Sequence, residues 1–450
     1  MRGVGPNECQ RHECLKRAVS LPSKETPCSE ATHGLTTLAE RRQSRKAIET
    51  FSIIHFSARA GLGTVQSIGI VDAATTLSER KSIMNESSFV TPFAARFELR
   101  VPVVQAPMAG GATTPALVAA VSNAGGLGFL AAAALSPEKI ASEVAAIRAL
   151  TDRPFGVNLF VLDPAAPDEA IVRHALEAID PLRADLGLPP GQPLERFAPD
   201  FRAQLETLIE LRVPVASFTF GLLSAADVSR LHANGLYVIG TATHVAEGVA
   251  WRDAGADAIA AQGAEAGAHR GTFIGAFEEA LVGTMALVPQ LVDETGLPVL
   301  AAGGIMDGRG IVAALALGAQ AAVMGTAFLT CLESAIPQAW KTRVRSMSDT
   351  STSVTRAITG RHARGIRNPL MQRLSESAKK VAPYPVQNAL TQELRQTASR
   401  AENGDYLSLW SGQGAPLGRK RREGLGAAEL VGQLEQEWHA AAARIAALKR

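Results

Sequence analysis

The sequence predicts an α/β protein folded as a (β/α)8 TIM barrel, with a smaller, mostly helical cap region after the eighth strand. Three observations lead there. Eight short, nearly continuous apolar runs recur between residues 101 and 328. Ala-rich stretches of helical length separate them, and apolar strands alternating with helices make a parallel sheet covered on both faces. The span is also close to the roughly 250 residues that such a barrel uses. An open, doubly wound sheet is the alternative, because a one-dimensional pattern does not show closure.

The strands read in order as Val101–Ala106, Gly128–Ala132, Phe155–Phe160, Val213–Phe220, Tyr237–Thr241, Ala258–Ala261, Val299–Ala302 and Ala321–Met324. Helices fit between them at Thr114–Asn123, Pro137–Leu150, Ala225–Asn234, His244–Ala254 and Gly308–Leu317. Two segments break the rhythm. Residues 163–200, rich in Pro and Asp, read as an insertion after the third strand of a barrel domain spanning 84–335. Residues 336–420 are too long for a simple connection and read as the cap over the barrel mouth. Residues 421–450 then carry one amphipathic helix, Gly426–Leu448, expected to pack on the barrel.

Residues 1–83 differ from the rest. They hold Cys9, Cys14 and Cys28, scattered charges and only short apolar pieces. Cys9 and Cys14 with His12 and His33 match no standard zinc spacing, so no metal is expected. The eight acidic residues before Met84 argue against a transit peptide. The expectation is a poorly ordered extension or a start codon placed too early, with patterned sequence beginning after Met84.

Composition excludes several function classes. Lys and Arg number 45 against 43 Asp and Glu, a net charge of +2, which argues against a nucleic-acid arm or a polybasic membrane anchor. Four Cys make no disulfide framework. No run offers about 20 uninterrupted apolar residues, and no apolar signal core follows the start, so a cytoplasmic location is expected.

Barrel chemistry sits at the C-terminal ends of the strands. Gly303-Gly304 after the seventh run and Gly325-Thr326 after the eighth together read as a phosphate site, since glycines let backbone N–H groups approach an anion. A helix beginning at Asp307–Arg309 is expected to add its N-terminus. Of nine His, only His269 lies in a Gly-rich loop directly after a strand, between Gly267 and Gly271. An imidazole there can take a proton from a carbon acid or steady an anion. Asn158 and Gln262 offer donor and acceptor to a heterocycle edge, and each is equally suited to bracing a loop. Arg270, beside the histidine, is expected to point elsewhere. His244 reads as a helix start, His232 as a surface residue and Cys331 as a buried structural thiol. There is no Gly-x-Ser-x-Gly elbow and no Gly-x-Gly-x-x-Gly after the first strand, which disfavours Rossmann-type dinucleotide binding.

Several stretches together resemble the bacterial nitronate monooxygenases, formerly called 2-nitropropane dioxygenases. They are Pro102–Gly111, Ser217–Gly221, Gln262–Gly271, Ala301–Ile305 with Met324–Phe328, Gly360–Pro369 and Leu409–Gly414, within a resemblance running from about residue 90 to 445. The resemblance implies one non-covalent FMN in the barrel. Ala106, Pro107 and Met108 would line the flavin, Asn158 and Gln262 contact its ring system, and Gly267 lie beside it. Gly303, Gly304, Gly325 and Thr326 would hold its phosphate, and Gln413 would reach in from its loop. His269 matches the family's catalytic histidine. Ala268 departs from the glycine common there, which puts the pose of the histidine loop in question. The implied reaction oxidises a nitronate, of the propionate-3-nitronate kind, with O2 to a carbonyl compound and nitrite. The partners expected are thus that small molecule and O2, with neither nucleic acid nor membrane. Two rivals share these glycines: an FMN-dependent NAD(P)H reductase of a quinone or an enoyl-acyl-carrier-protein, and a non-catalytic flavin- or phosphate-binding barrel.

Overall fold

The computed structural model describes residues 90–448, so expectations for the N-terminal 83 residues lie outside the described residues. Eight parallel strands form one sheet: β1 (Val103–Gln105), β2 (Gly128–Ala131), β3 (Phe155–Phe160), β4 (Val215–Thr219), β5 (Tyr237–Ala242), β6 (Ala258–Gln262), β8 (Val299–Ala302) and β9 (Ala321–Met324). The two-residue β7 (Ala268–His269) belongs to a second sheet. Strand order runs β1-β9-β8-β6-β5-β4-β3-β2. A parallel bridge between Val104 and Leu127 joins the two ends, with Gln105 N donating to Leu127 O at 2.9 Å and Leu127 N to Val103 O at 3.0 Å. That closure makes the sheet a (β/α)8 barrel.

Local chemistry explains the helices. Thr114, Ser136, Asp200 and Ser224 each accept a backbone N–H at a helix start, and Pro115 and Pro137 occupy first-turn positions that need no donor. Three strands are shorter than the apolar pattern suggests, β2 by Ala132 alone and β1 and β4 by more. Val101 and Pro102 are buried outside the ladder, and Pro102 lacks an N–H to give. Phe220 takes φ 82°, which ends β4 and turns the chain at the barrel mouth. A left-handed bulky residue is uncommon, and such strain gathers at functional sites.

The bottom of the barrel is closed by a short helix, Pro92–Arg96. Its Phe93, with Phe97 just beyond it, packs edge-on against Tyr237 and joins a cluster with Val104, Phe129, Ile239 and Leu300. Thr91 Oγ1 donates to Gln320 O at 2.7 Å, tying this plug to the start of β9.

Above the mouth, helix Glu169–Asp185 does not stand alone. Its Val172, Leu176, Ile179 and Leu182 form one apolar cluster with Ile358, Leu370, Leu374, Val386, Leu390 and Leu394. Two segments far apart in sequence thus share a core. Strands β10 (Thr352–Thr355) and β11 (Ala363–Ile366) form an antiparallel pair, and β11 pairs in turn with β7, Ala363 facing His269. The C-terminal helix Ala427–Ala447 lies along helix Gly308–Ala316. Among the described residues no helix is long and apolar enough to cross a membrane.

Candidate active site

The C-terminal ends of the strands open into a cavity of about 740 Å3, a size that suits a cofactor or small ligand. Ala106, Pro107 and Met108 line it after β1, Asn158 from β3, Gln262 from β6, Gly303 and Gly304 after β8, and Gly325 and Thr326 after β9. Gly267 and His269 enter from the loop after β6, and Tyr384, Arg395, Trp410 and Gly412 close it from above. The structure therefore brings together every residue singled out for the site except Gln413. The Gln413 side chain is exposed and off the cavity, while its backbone N donates to Glu265 O at 3.0 Å. Its neighbours Ser411 and Gly412 line the wall in its place.

The glycines divide by what they allow. Gly303 and Gly304 adopt φ 121° and 73°, left-handed conformations that L side chains resist. Among the described residues neither N–H donates to a protein group, so both remain free for an anion in the cavity. Gly267 serves a close approach. A Cβ there would sit 2.5 Å from Gly412 N and 2.6 Å from Ser411 C, so only glycine lets the cap loop reach the histidine loop. Thr326 Oγ1 accepts from Gly412 N at 3.0 Å and clamps the same junction.

The helix N-terminus expected to help hold a phosphate is occupied. The Asp307 carboxylate accepts from Arg309 N at 3.0 Å and Gly310 N at 3.3 Å, and Glu437 Oε2 accepts from Gly308 N at 3.1 Å. An N-terminus already met by two carboxylates does not attract a further anion, and these residues do not line the cavity.

The two amides act mainly as braces. Gln262 Nε2 donates to His269 O at 2.9 Å, and Gly271 N donates to Gln262 Oε1 at 2.8 Å, so this side chain spans the histidine loop. Asn158 Nδ2 donates to Ser217 Oγ at 2.9 Å and holds β3 to β4, while nothing among the described residues donates to its Oδ1. Arg270 is fully buried and turns away, donating to Gly263 O at 2.6 Å and Ala280 O at 3.0 Å.

His269 is enclosed by protein but keeps part of its ring on the cavity. Phe220, Tyr384 and Trp410 surround it, with ring centroids 5.6, 5.5 and 5.7 Å away. Nε2 lies 2.8 Å from Thr359 Oγ1. Burial first, and then the Arg361 and Arg395 guanidiniums, together push its pKa down to about 3; the imidazole is neutral at pH 7. Ala268 stands at φ 62°, the region where glycine costs least, so strain lies directly beside the histidine.

The residues sequence reasoning missed lie in the cap. Burial pushes both Arg361 and Arg395 down to about 10, and neither belongs to any ion pair among the described residues. Arg361 donates to Arg270 O and lies 3.9 Å over the Phe220 ring. Arg395 donates to Asn388 Oδ1 at 2.9 Å. The segment Gly360–Pro369 contains Arg361, yet without a strand rhythm to anchor it no role was readable there.

The sequence profile of the nitronate monooxygenase family matches residues 92–437. A protein described as "probable nitronate monooxygenase" from Staphylococcus haemolyticus is 42% identical over 323 residues, 71% of this chain and 90% of that protein. A nitroalkane oxidase structure from Streptomyces ansochromogenes superposes with a TM-score of 0.71 at 39% identity, covering 78% of this chain and 99% of the other. FabK from Thermotoga maritima superposes with a TM-score of 0.63 at 28% identity, covering 80% of this chain and 100% of that one. With a closed (β/α)8 barrel and a histidine facing the cavity at its mouth, the chain belongs to the nitronate monooxygenase family of oxidoreductases.

Proposed function

We propose that the protein is an FMN-dependent monooxygenase that converts alkyl nitronates and O2 to carbonyl compounds and nitrite. The observation that carries this reading is a neutral imidazole, His269, open to a cavity lined by Arg395, a buried guanidinium in no ion pair among the described residues, with the Arg361 guanidinium also close enough to lower the histidine pKa. A nitronate is an anion, and a buried cation at the cavity without an ion-pair partner favours one.

The cradle fits FMN: Gly303 and Gly304 offer free N–H groups, and Gly325 and Thr326 line the cavity beside them at the end of the neighbouring strand. Ala106, Pro107, Met108 and Asn158 would line the ring system, with Gln262 and Gly267 shaping the wall beside it. FMN, when bound, supplies one-electron oxidation of the nitronate, with O2 as the terminal oxidant. The protein's own part is to bind, orient and move a proton. For a neutral nitroalkane, His269 takes the α-proton. Arg361 and Arg395 disfavour the imidazolium that forms, but they favour the nitronate formed beside it, so the transfer as a whole is little opposed by their field. The aromatic ring of Phe220, Tyr384 and Trp410 excludes water from this step.

Nitrite release measured aerobically with a panel of nitronates, alongside a flavin absorption spectrum, tests the reading. His269→Asn is expected to lower turnover of neutral nitroalkane by about 100-fold or more while FMN stays bound. Undiminished nitroalkane turnover in that variant would remove His269 as the base. The likeness to FabK supports a second reading, an FMN-dependent NAD(P)H reductase. Rapid anaerobic bleaching of the flavin by NADH or NADPH would favour it.

A further inference from the structure

The environment of His269 fixes which ring nitrogen carries the proton. Thr359 is 1% exposed, and its hydroxyl has two neighbours: His269 Nε2 at 2.8 Å and Arg361 O at 3.2 Å. A hydroxyl has one proton, and a carbonyl oxygen only accepts. Two arrangements exist. In one, Thr359 donates to Nε2; His269 then carries its proton on Nδ1, Arg361 O loses the donor it has in Thr359, and the Nδ1–H has no acceptor among the described residues. In the other, Thr359 donates to Arg361 O and accepts from Nε2–H. Every one of those groups is then paired, and only the Nδ1 lone pair remains, in a ring that lines the cavity. The first arrangement leaves Arg361 O without its hydroxyl donor and the second leaves no protein donor without an acceptor, so the second arrangement wins.

The charged and titratable groups facing the ring agree. Arg361 and Arg395 are cations, and Tyr384 is held neutral by burial, its pKa pushed up to about 12. None is a carboxylate that would draw the Nε2 proton, so the Thr359 hydroxyl is the acceptor at hand. The backbone makes the contact reproducible. Ala363 pairs with His269 across β11 and β7, Arg270 N donates to His362 O at 2.8 Å, and Arg361 Nε donates to Arg270 O at 3.1 Å. The turn carrying Thr359 is thereby held in register with the histidine.

We propose that Thr359 is a positioning residue that holds His269 as the Nε2–H tautomer, so that unprotonated Nδ1 is the nitrogen presented to substrate. Its use as a base rests on the monooxygenase reading; the tautomer itself does not. When Nδ1 takes a proton, the Nε2–H···Thr359 bond persists, and no other hydrogen moves.

The test combines spectroscopy and kinetics on full-length protein as purified. Ring 15N shifts of 15N-histidine-labelled protein, with His269→Asn supplying the assignment, are expected to show Nε2 protonated and Nδ1 bare. Thr359→Val removes the acceptor and is expected to populate the other tautomer, and Thr359→Ser to restore the original. In parallel, Thr359→Val is expected to lower kcat/KM for a neutral nitroalkane by about tenfold or more, leave the preformed nitronate nearly unchanged, and recover with Thr359→Ser. A protonated Nδ1 in the unmodified protein, or an unaltered tautomer in Thr359→Val, overturns the proposal. If the tautomer is as stated while His269→Asn still turns over nitroalkanes, the base reading fails and the assignment of Thr359 stands.

Discussion

A histidine held neutral inside the fold links stability to pH. His269 has a folded pKa of about 3, against about 6.5 in an unfolded chain. Between those values the unfolded state binds the extra proton, so stability is complete above about pH 6.5 and falls as the pH drops toward 3. Each unit in that window removes up to about 1.4 kcal/mol. Urea titrations at pH 7 and pH 5.5 should therefore show the unmodified protein losing more stability than His269→Asn, which has no imidazole to protonate. Equal losses would mean that the ring is solvated in the folded chain. The same residue shows how much of the site was legible. His269, Gly303 and Gly304 were readable because a strand end gives a side chain a definite address. Thr359 and Arg361 were not, since they arrive from a turn with no periodic pattern, nor was Arg395, whose helix Gln392–Arg400 carries no sign in chain order that it lies over the site. Gln413 was placed by its motif alone, and its side chain is exposed.

At the scale of elements, helix packing depends on one glycine. A Cβ on Gly308 would lie 2.1 Å from Glu437 C and 2.2 Å from Trp438 N, so the start of helix Gly308–Ala316 rests directly on the backbone of the C-terminal helix. Gly308→Ala should force the two apart and cost about 1–3 kcal/mol, read as a lower urea midpoint with the His269 ring shifts unchanged. The sequence marks Gly308 as a helix start and gives no sign of this partner 129 positions on. Strand β7 is a parallel case. Two residues have too little alternation to be seen as a strand, and Ala268–His269 becomes one only because β11 supplies the facing hydrogen bonds. The histidine is thus held by the cap as well as by its own glycine-flanked loop.

For the molecule as a whole, the family match begins at residue 92 and the plug helix at Pro92. Removing residues 1–83 is therefore expected to leave flavin content and nitrite release unchanged. Removing residues 1–97 also takes away Phe93 and Phe97, which are 1% and 6% exposed, at about 3–5 kcal/mol for each large core side chain. Flavin spectra and urea midpoints of the two truncations check this; equal stability would show that the plug does not hold the barrel closed. Periodicity alone determined the eight strands, because each buried strand must be apolar along its length and each helix must cover it. The sequence also located the cavity-lining glycines and the histidine, since the position of a strand end follows from chain order. Closure of the sheet through Val104 and Leu127, the shared core of helix Glu169–Asp185 with the cap, and the pairing of Thr359 with His269 were decided only by the tertiary structure. Each joins residues whose separation along the chain carries no record of their contact in space, and each exists because buried polar and apolar groups must find partners wherever the fold brings them.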